Sequence, residues 1–160
     1  MATGQTRRWT GVVLMVGFFT LGMGGCGGNS NPLSGLLRVE MTFVPAEGTA
    51  APSEVEGFEW SVVYQVTLQE TGGEMGGSVT RFNVIVYEAE GDEPGVESES
   101  ASSAVNMPNT RLGPGGTLQA ALETRYSLVN GGKAAFIDVT AFINDDAGLT
   151  GDLTRRLTVR

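Results

Sequence analysis

The chain has 160 residues and a formal net charge of −8, from 10 Lys+Arg against 18 Asp+Glu. It holds no histidine, which removes the usual general base near neutral pH, the Ser–His and Cys–His nucleophile pairs and every imidazole metal site. Hydrophobic residues, at 41%, suffice for the core of one ordinary domain, while a single lysine, Lys133, and scattered arginines give no basic patch for nucleic acid.

Residues 1–25 read as a signal peptide. Arg7 and Arg8 supply the positive start, Gly11–Met23 supplies an apolar, helical run of 13 residues, and no acid occurs before Glu40. The run is shorter than the ~20 apolar residues that cross a bilayer. The small pair Gly24-Gly25 then meets the only cysteine, Cys26. Met23-Gly24-Gly25-Cys26 resembles the lipobox of bacterial lipoprotein precursors, with Met23 where that family usually has Leu. The resemblance implies that the Cys26 thiol receives diacylglycerol, that cleavage precedes Cys26, and that further acylation (palmitate-type chains) anchors the mature chain. Two or more acyl chains hold a protein on a membrane stably, whereas one does so only marginally. The implied partner is the lipid bilayer, through acylated Cys26. In the Gram-negative members Asp after the cysteine favours inner-membrane retention. Gly27 stands there instead, so the implied address is the outer membrane where the host has one.

Residues 26–35, including Gly27-Gly28-Asn29-Ser30-Asn31-Pro32, are expected to form a flexible tether of turn-forming residues. From 36 to 160 the apolar period is two rather than 3.6. Leu37, Val39, Met41 and Phe43 share one face of the first strand. Pro45 to Gly57 reads as a loop. Phe58, Trp60, Val62, Tyr64, Val66 and Leu68 share one face of the next and cleanest strand, and Trp60 is expected to lie buried between two sheets near Val62, Tyr64, Phe82, Val84 and Val139. Gly72–Gly77 reads as a mobile connection, Phe82, Val84 and Val86 as an inward set, Glu88–Gly95 as an acidic turn region, and Ser98–Ser103 as either an edge strand or a loop.

After a Pro/Gly-punctuated segment, 108–116, residues Leu118, Ala120, Leu122, Thr124, Tyr126 and Leu128 form an inward face. A helix competes over 118–128, but the strand is preferred because a tight Asn130-Gly131 turn and another strand follow at once. That strand carries Ile137, Val139, Ala141 and Ile143 inward. Asn144–Gly148 reads as a hairpin turn, and Leu149, Leu153, Leu157 and Val159 as the last inward set, with Arg156 on the opposite parity. Val63, Ile85, Tyr87, Phe136 and Phe142 fall on the outward faces, where either a neighbouring segment such as 96–107 covers them or they form a partner patch.

Strands of this length and spacing indicate an all-β antiparallel sandwich of about seven strands over residues 36–160. The arrangement resembles immunoglobulin-like and fibronectin-like sandwiches of bacterial exported proteins, without the disulfide of antibody domains. No Ser-Lys dyad is expected from Lys133, which lies in a turn, and no cofactor, metal ligand or catalytic residue is assigned. Calcium, which takes six to eight oxygen ligands, is the sharpest ligand alternative, through Asn144, Asp145, Asp146 and Asp152 or the 88–93 acids. The expected function is a non-enzymatic, lipid-anchored envelope protein with an immunoglobulin-like module that binds a protein or glycan partner or belongs to an envelope assembly. The alternatives are a calcium-stabilised adhesion-type module and a small carboxylate-dependent hydrolase.

Overall fold

The computed structural model describes residues 36–160, so the expected signal peptide, Cys26 and the expected tether lie outside the described residues. Eleven strands follow in chain order: β1 (Val39–Val44), β2 (Glu47–Gly48), β3 (Ala51–Pro52), β4 (Trp60–Glu70), β5 (Gly77–Glu90), β6 (Glu93–Glu97), β7 (Ser100–Asn106), β8 (Arg111–Leu112), β9 (Thr117–Ser127), β10 (Ala135–Asp145) and β11 (Thr150–Val159). One sheet runs β1-β4-β9-β7, with β3 beside β4. The other runs β2-β11-β10-β5-β6, with β8 beside β5. All pairings are antiparallel except the two-residue contact of β2 with β11. The two sheets form a sandwich, because each has one apolar face that only the other can cover.

The inward faces of β1, β4, β9 and β10 match the sequence periodicity. Met41, Val62, Tyr64, Val66, Leu68, Leu118, Ala120, Leu122, Ile137, Val139, Ala141 and Ile143 are all buried. The strand reading of 118–128 holds, and the 98–103 alternatives resolve to an edge strand, β7, beside β9. Two buried tyrosines have their hydroxyls satisfied. The Tyr64 hydroxyl shares a hydrogen bond with Thr124 Oγ1 at 3.0 Å, and the Tyr126 hydroxyl donates to the Lys133 carbonyl at 2.6 Å. Burial pushes the Tyr64 phenol up to about 12, and that of Tyr126 higher still. The sheets approach closely at Gly48, where any Cβ would stand 2.9 Å from Val62 Cγ2 and 3.1 Å from Val159 Cγ2.

Several expectations require correction. Glu88–Gly95 is a hairpin between β5 and β6 rather than a turn region, its bend made by Gly91 at φ 65°. The 45–57 loop contributes the short strands β2 and β3. Val79 is buried although it is odd in parity beside Phe82, Val84 and Val86, because the register with β10 shifts at Phe142/Ile143 and skips Thr80. This bulge changes which parity faces the core. Leu149 is 51% exposed, since it belongs to the β10–β11 turn rather than to the strand. The Asn130-Gly131 turn is tight as expected, with Gly131 at φ 66°, and it joins β9 of one sheet to β10 of the other as a corner of the sandwich. Trp60 is half-buried at the rim, packed against the core rather than centred in it, and its indole N–H is enclosed without an acceptor.

Of the outward apolar set, Tyr87, Phe136 and Phe142 lie on the sheet that β7 does not join, and arginine side chains lie over their rings. The Arg156 guanidinium lies 5.7 Å from the Phe136 ring centroid and 6.0 Å from that of Tyr87, and Arg81 lies 4.1 Å from Phe142. Phe136 is thereby only 7% exposed, while Val63, on the outer face of the first sheet, stays 66% exposed.

Tyr126→Phe is expected to lower the unfolding free energy by about 1–2 kcal/mol, because the Lys133 carbonyl loses its donor. Trp60→Phe, which discards an unsatisfied N–H at a half-buried site, should change it by less than about 1 kcal/mol. Equilibrium urea unfolding measures both, and the reverse order would contradict this account of the core.

Candidate functional site

The two ends of the sandwich differ in chemistry. The chain leads into β1 at one end, where Leu37, the 71–76 and 113–116 loops and the β10–β11 hairpin gather; a Cβ at Gly77 would sit 3.1 Å from Ile143 and 3.2 Å from Leu37. The opposite end carries the 47–59 segment and the β5–β6 hairpin. Residues 47–59 and 88–99 hold ten of the eighteen acids and no lysine or arginine.

At the first end stands the least expected side chain of the fold. Glu70 closes β4 on the inward parity of Val62, Tyr64, Val66 and Leu68, and is 1% exposed. Its carboxylate accepts backbone N–H groups from Gly115, Gly72 and Gly73 at 2.7 Å each and from Arg38 at 3.4 Å. The Gly115 bond, with those of Gly73, Gly72 and Arg38, holds this carboxyl below its ordinary value of 4.5 in spite of burial. A carboxyl lowered on folding adds stability above its unfolded pKa, and that contribution is lost as pH falls through the folded value. Three separate segments are thus tied to one anion. Sequence reading missed it, although the period-two face of β4, continued by one more step, lands on Glu70.

The calcium donors proposed from sequence do not converge. Asp145 is buried, and its Oδ1 accepts the Leu149 N–H at 2.8 Å inside the hairpin turn, which Gly148 completes at φ 85°. Asn144 Oδ1 accepts from Thr150 Oγ1 at 2.8 Å. Asp146 receives a two-pronged ion pair from Arg111, with Nη2–Oδ2 at 2.6 Å, and these bonds hold its carboxyl below the usual range. Asp152 lies in β11 opposite Phe142. Of the 88–93 acids, Glu88 is a buried strand residue, and both its oxygens lie 3.0 Å from the donating Asn130 Nδ2. Among the described residues no group of three or more acids and cysteines is placed to hold a metal ion. Lys133 is exposed in its turn. Cys26, the one residue assigned a chemical role from sequence, lies outside the described residues.

No family model matches the chain, and no curated protein matches it. Among solved structures, a crystal structure described as the ApaA protein from Bordetella pertussis is similar at a TM-score of 0.48 and 14% identity. The match covers 77% of this chain and 94% of that one.

With Asp145 engaged in the turn and Asp146 by Arg111, millimolar calcium is expected to leave the thermal midpoint unchanged. Asp145→Ala should destabilise by about 1–2 kcal/mol whether calcium or a chelator is present. Scanning calorimetry under both conditions decides; a calcium-dependent rise abolished by Asp145→Ala would revive the calcium-stabilised reading.

Proposed function

We propose that the protein is a non-enzymatic bacterial lipoprotein: an immunoglobulin-like sandwich held at the cell envelope through acylated Cys26, which binds a protein partner or joins an envelope assembly. The observation that supports this most is polarity along the strands. The chain comes into the sandwich at one end, and the acid-rich segments 47–59 and 88–99 sit at the other. A domain tethered at Leu36 would present its acidic end away from an anionic bilayer, which repels it. Residues 26–35, at ~3.5 Å each when fully extended, keep the domain within about 35 Å of the acylated end. Glu70 supports the same reading, because its carboxylate braces the segment leading into β1 against two loops. Gly27 after the cysteine favours the outer membrane of a host that has one.

Cys26→Ala tests the anchor. Lipid attachment and the cleavage that follows it both need the thiol, so the variant should accumulate uncut and unacylated. Membrane fractionation with intact-mass measurement reads the result, and normal processing of the variant would overturn the lipoprotein reading.

A further inference from the structure

The sheet edges of the described residues are not alike. An open edge is a row of unpaired N–H and C=O groups that templates association, and proteins blunt such edges with charge, proline, bulges or cover. The free edge of β1 is met by Arg155, whose Nε donates to the Met41 carbonyl at 3.4 Å. β6 carries Glu93, Pro94 and Glu97 and a register shift against β5. β11, beyond its short contact with β2, carries Asp152, Arg155 and Arg156. β7 has none of these devices. Its seven residues, Ser-Ala-Ser-Ser-Ala-Val-Asn, are uncharged and proline-free, pair with β9 in unbroken register from Ser100 to Asn106, and end the sheet. Behind this edge, on the outer face, lies a shallow apolar hollow of about 230 Å³ lined by Val63, Ala104 and Ala121. The one ion pair beside it, Arg125 with Glu123 at 2.8 Å, is internally neutral.

We infer that β7 is a self-association edge: two copies of this chain pair their β7 strands antiparallel across a two-fold axis, joining their β1-β4-β9-β7 sheets into one continuous sheet. The charge distribution selects this occupant. In a chain of net charge −8, a cationic peptide would be drawn to the acid-rich end, whereas a second copy needs a contact line free of like charges. At any antiparallel register of β7 with itself, only Ser, Ala, Val and Asn meet. The same two-fold sets Glu99, which immediately precedes β7, toward the partner copy's Met107–Thr110 stretch, which holds no acid, and sends the two acid-rich ends to opposite ends of the pair. Ala104 faces outward on the edge strand, so its apolar hollow is continued by that of the second copy. This inference does not depend on the lipid anchor.

Sedimentation equilibrium and light scattering of the full chain in mild detergent, at up to about 100 μM, should give a protein mass of two copies. Ala104→Lys and, separately, Ser102→Lys place charge on the pairing line and should weaken the dimer at least about tenfold with unchanged circular dichroism. Thr42→Lys, on the same outer face at the β1 edge, should leave it intact. In the wild type, hydrogen exchange of the β7 amides should slow as concentration rises. A wild-type mass of one copy throughout, including one that shifts only when another protein is added, overturns the proposal. So does a dimer that both β7 lysine variants leave unchanged.

Discussion

A strand that buries one face must bury every second residue, and in β4 that parity carries a carboxylate into the interior. Val62, Tyr64, Val66 and Leu68 are followed on the same face by Glu70. A buried carboxylate is tolerable only when its lone pairs are filled. Here four backbone amides from three segments fill them. The loops at that end therefore cannot be placed independently: the residue leading into β1, the β4–β5 connection and the glycine-rich segment before β9 share one acceptor. The Gly72–Gly77 connection, which composition alone marks as mobile, is in this sense fastened at its first two residues.

The rest of the core follows the same rule of filling what is buried. Tyr64, Thr124 and Ser103 form a hydroxyl chain across β4, β9 and β7, with Ser103 Oγ to Thr124 Oγ1 at 2.9 Å. Tyr126 reaches the Lys133 carbonyl and so pins the corner where the chain passes from one sheet to the other. Outside the sandwich, arginine stems substitute for a third layer. Arg156 pairs with Asp138 at 2.6 and 2.7 Å while lying over Phe136 and Tyr87, so one side chain satisfies a neighbouring acid and shields two rings.

The long one-sided strands were legible because their period of two is unbroken and local: β1, β4, β9 and β10 could be read from alternation alone. What the sequence hid was set by pairing. The skipped Thr80 in β5 reverses parity between Val79 and Phe82, and only the partner strand β10 defines that bulge. Whether Asn130-Gly131 makes a hairpin or a corner depends on which sheet receives β10, which no local signal encodes. Trp60 has inward parity but stands at the first residue of β4, where the facing layer ends, so parity overstated its burial. The polar composition of β7 concealed a strand whose contacts are to Thr124 and the β9 backbone rather than to an apolar core. Of the site chemistry, Glu70 was hidden because it looks like any strand-end acid, and only the folded β4 shows its parity carried inward.

The central claim is that Glu70 is held ionised inside the fold by amides, and that this fastens the end of the sandwich at which β1 begins. The side-chain carboxyl carbon of Glu70, followed by NMR through an acid titration, tests it most directly. The account predicts a midpoint below 4.5, with the Gly72, Gly73 and Gly115 amide resonances moving at the same pH as their acceptor is protonated. A midpoint at or above 4.5, or glycine amides indifferent to it, would contradict it.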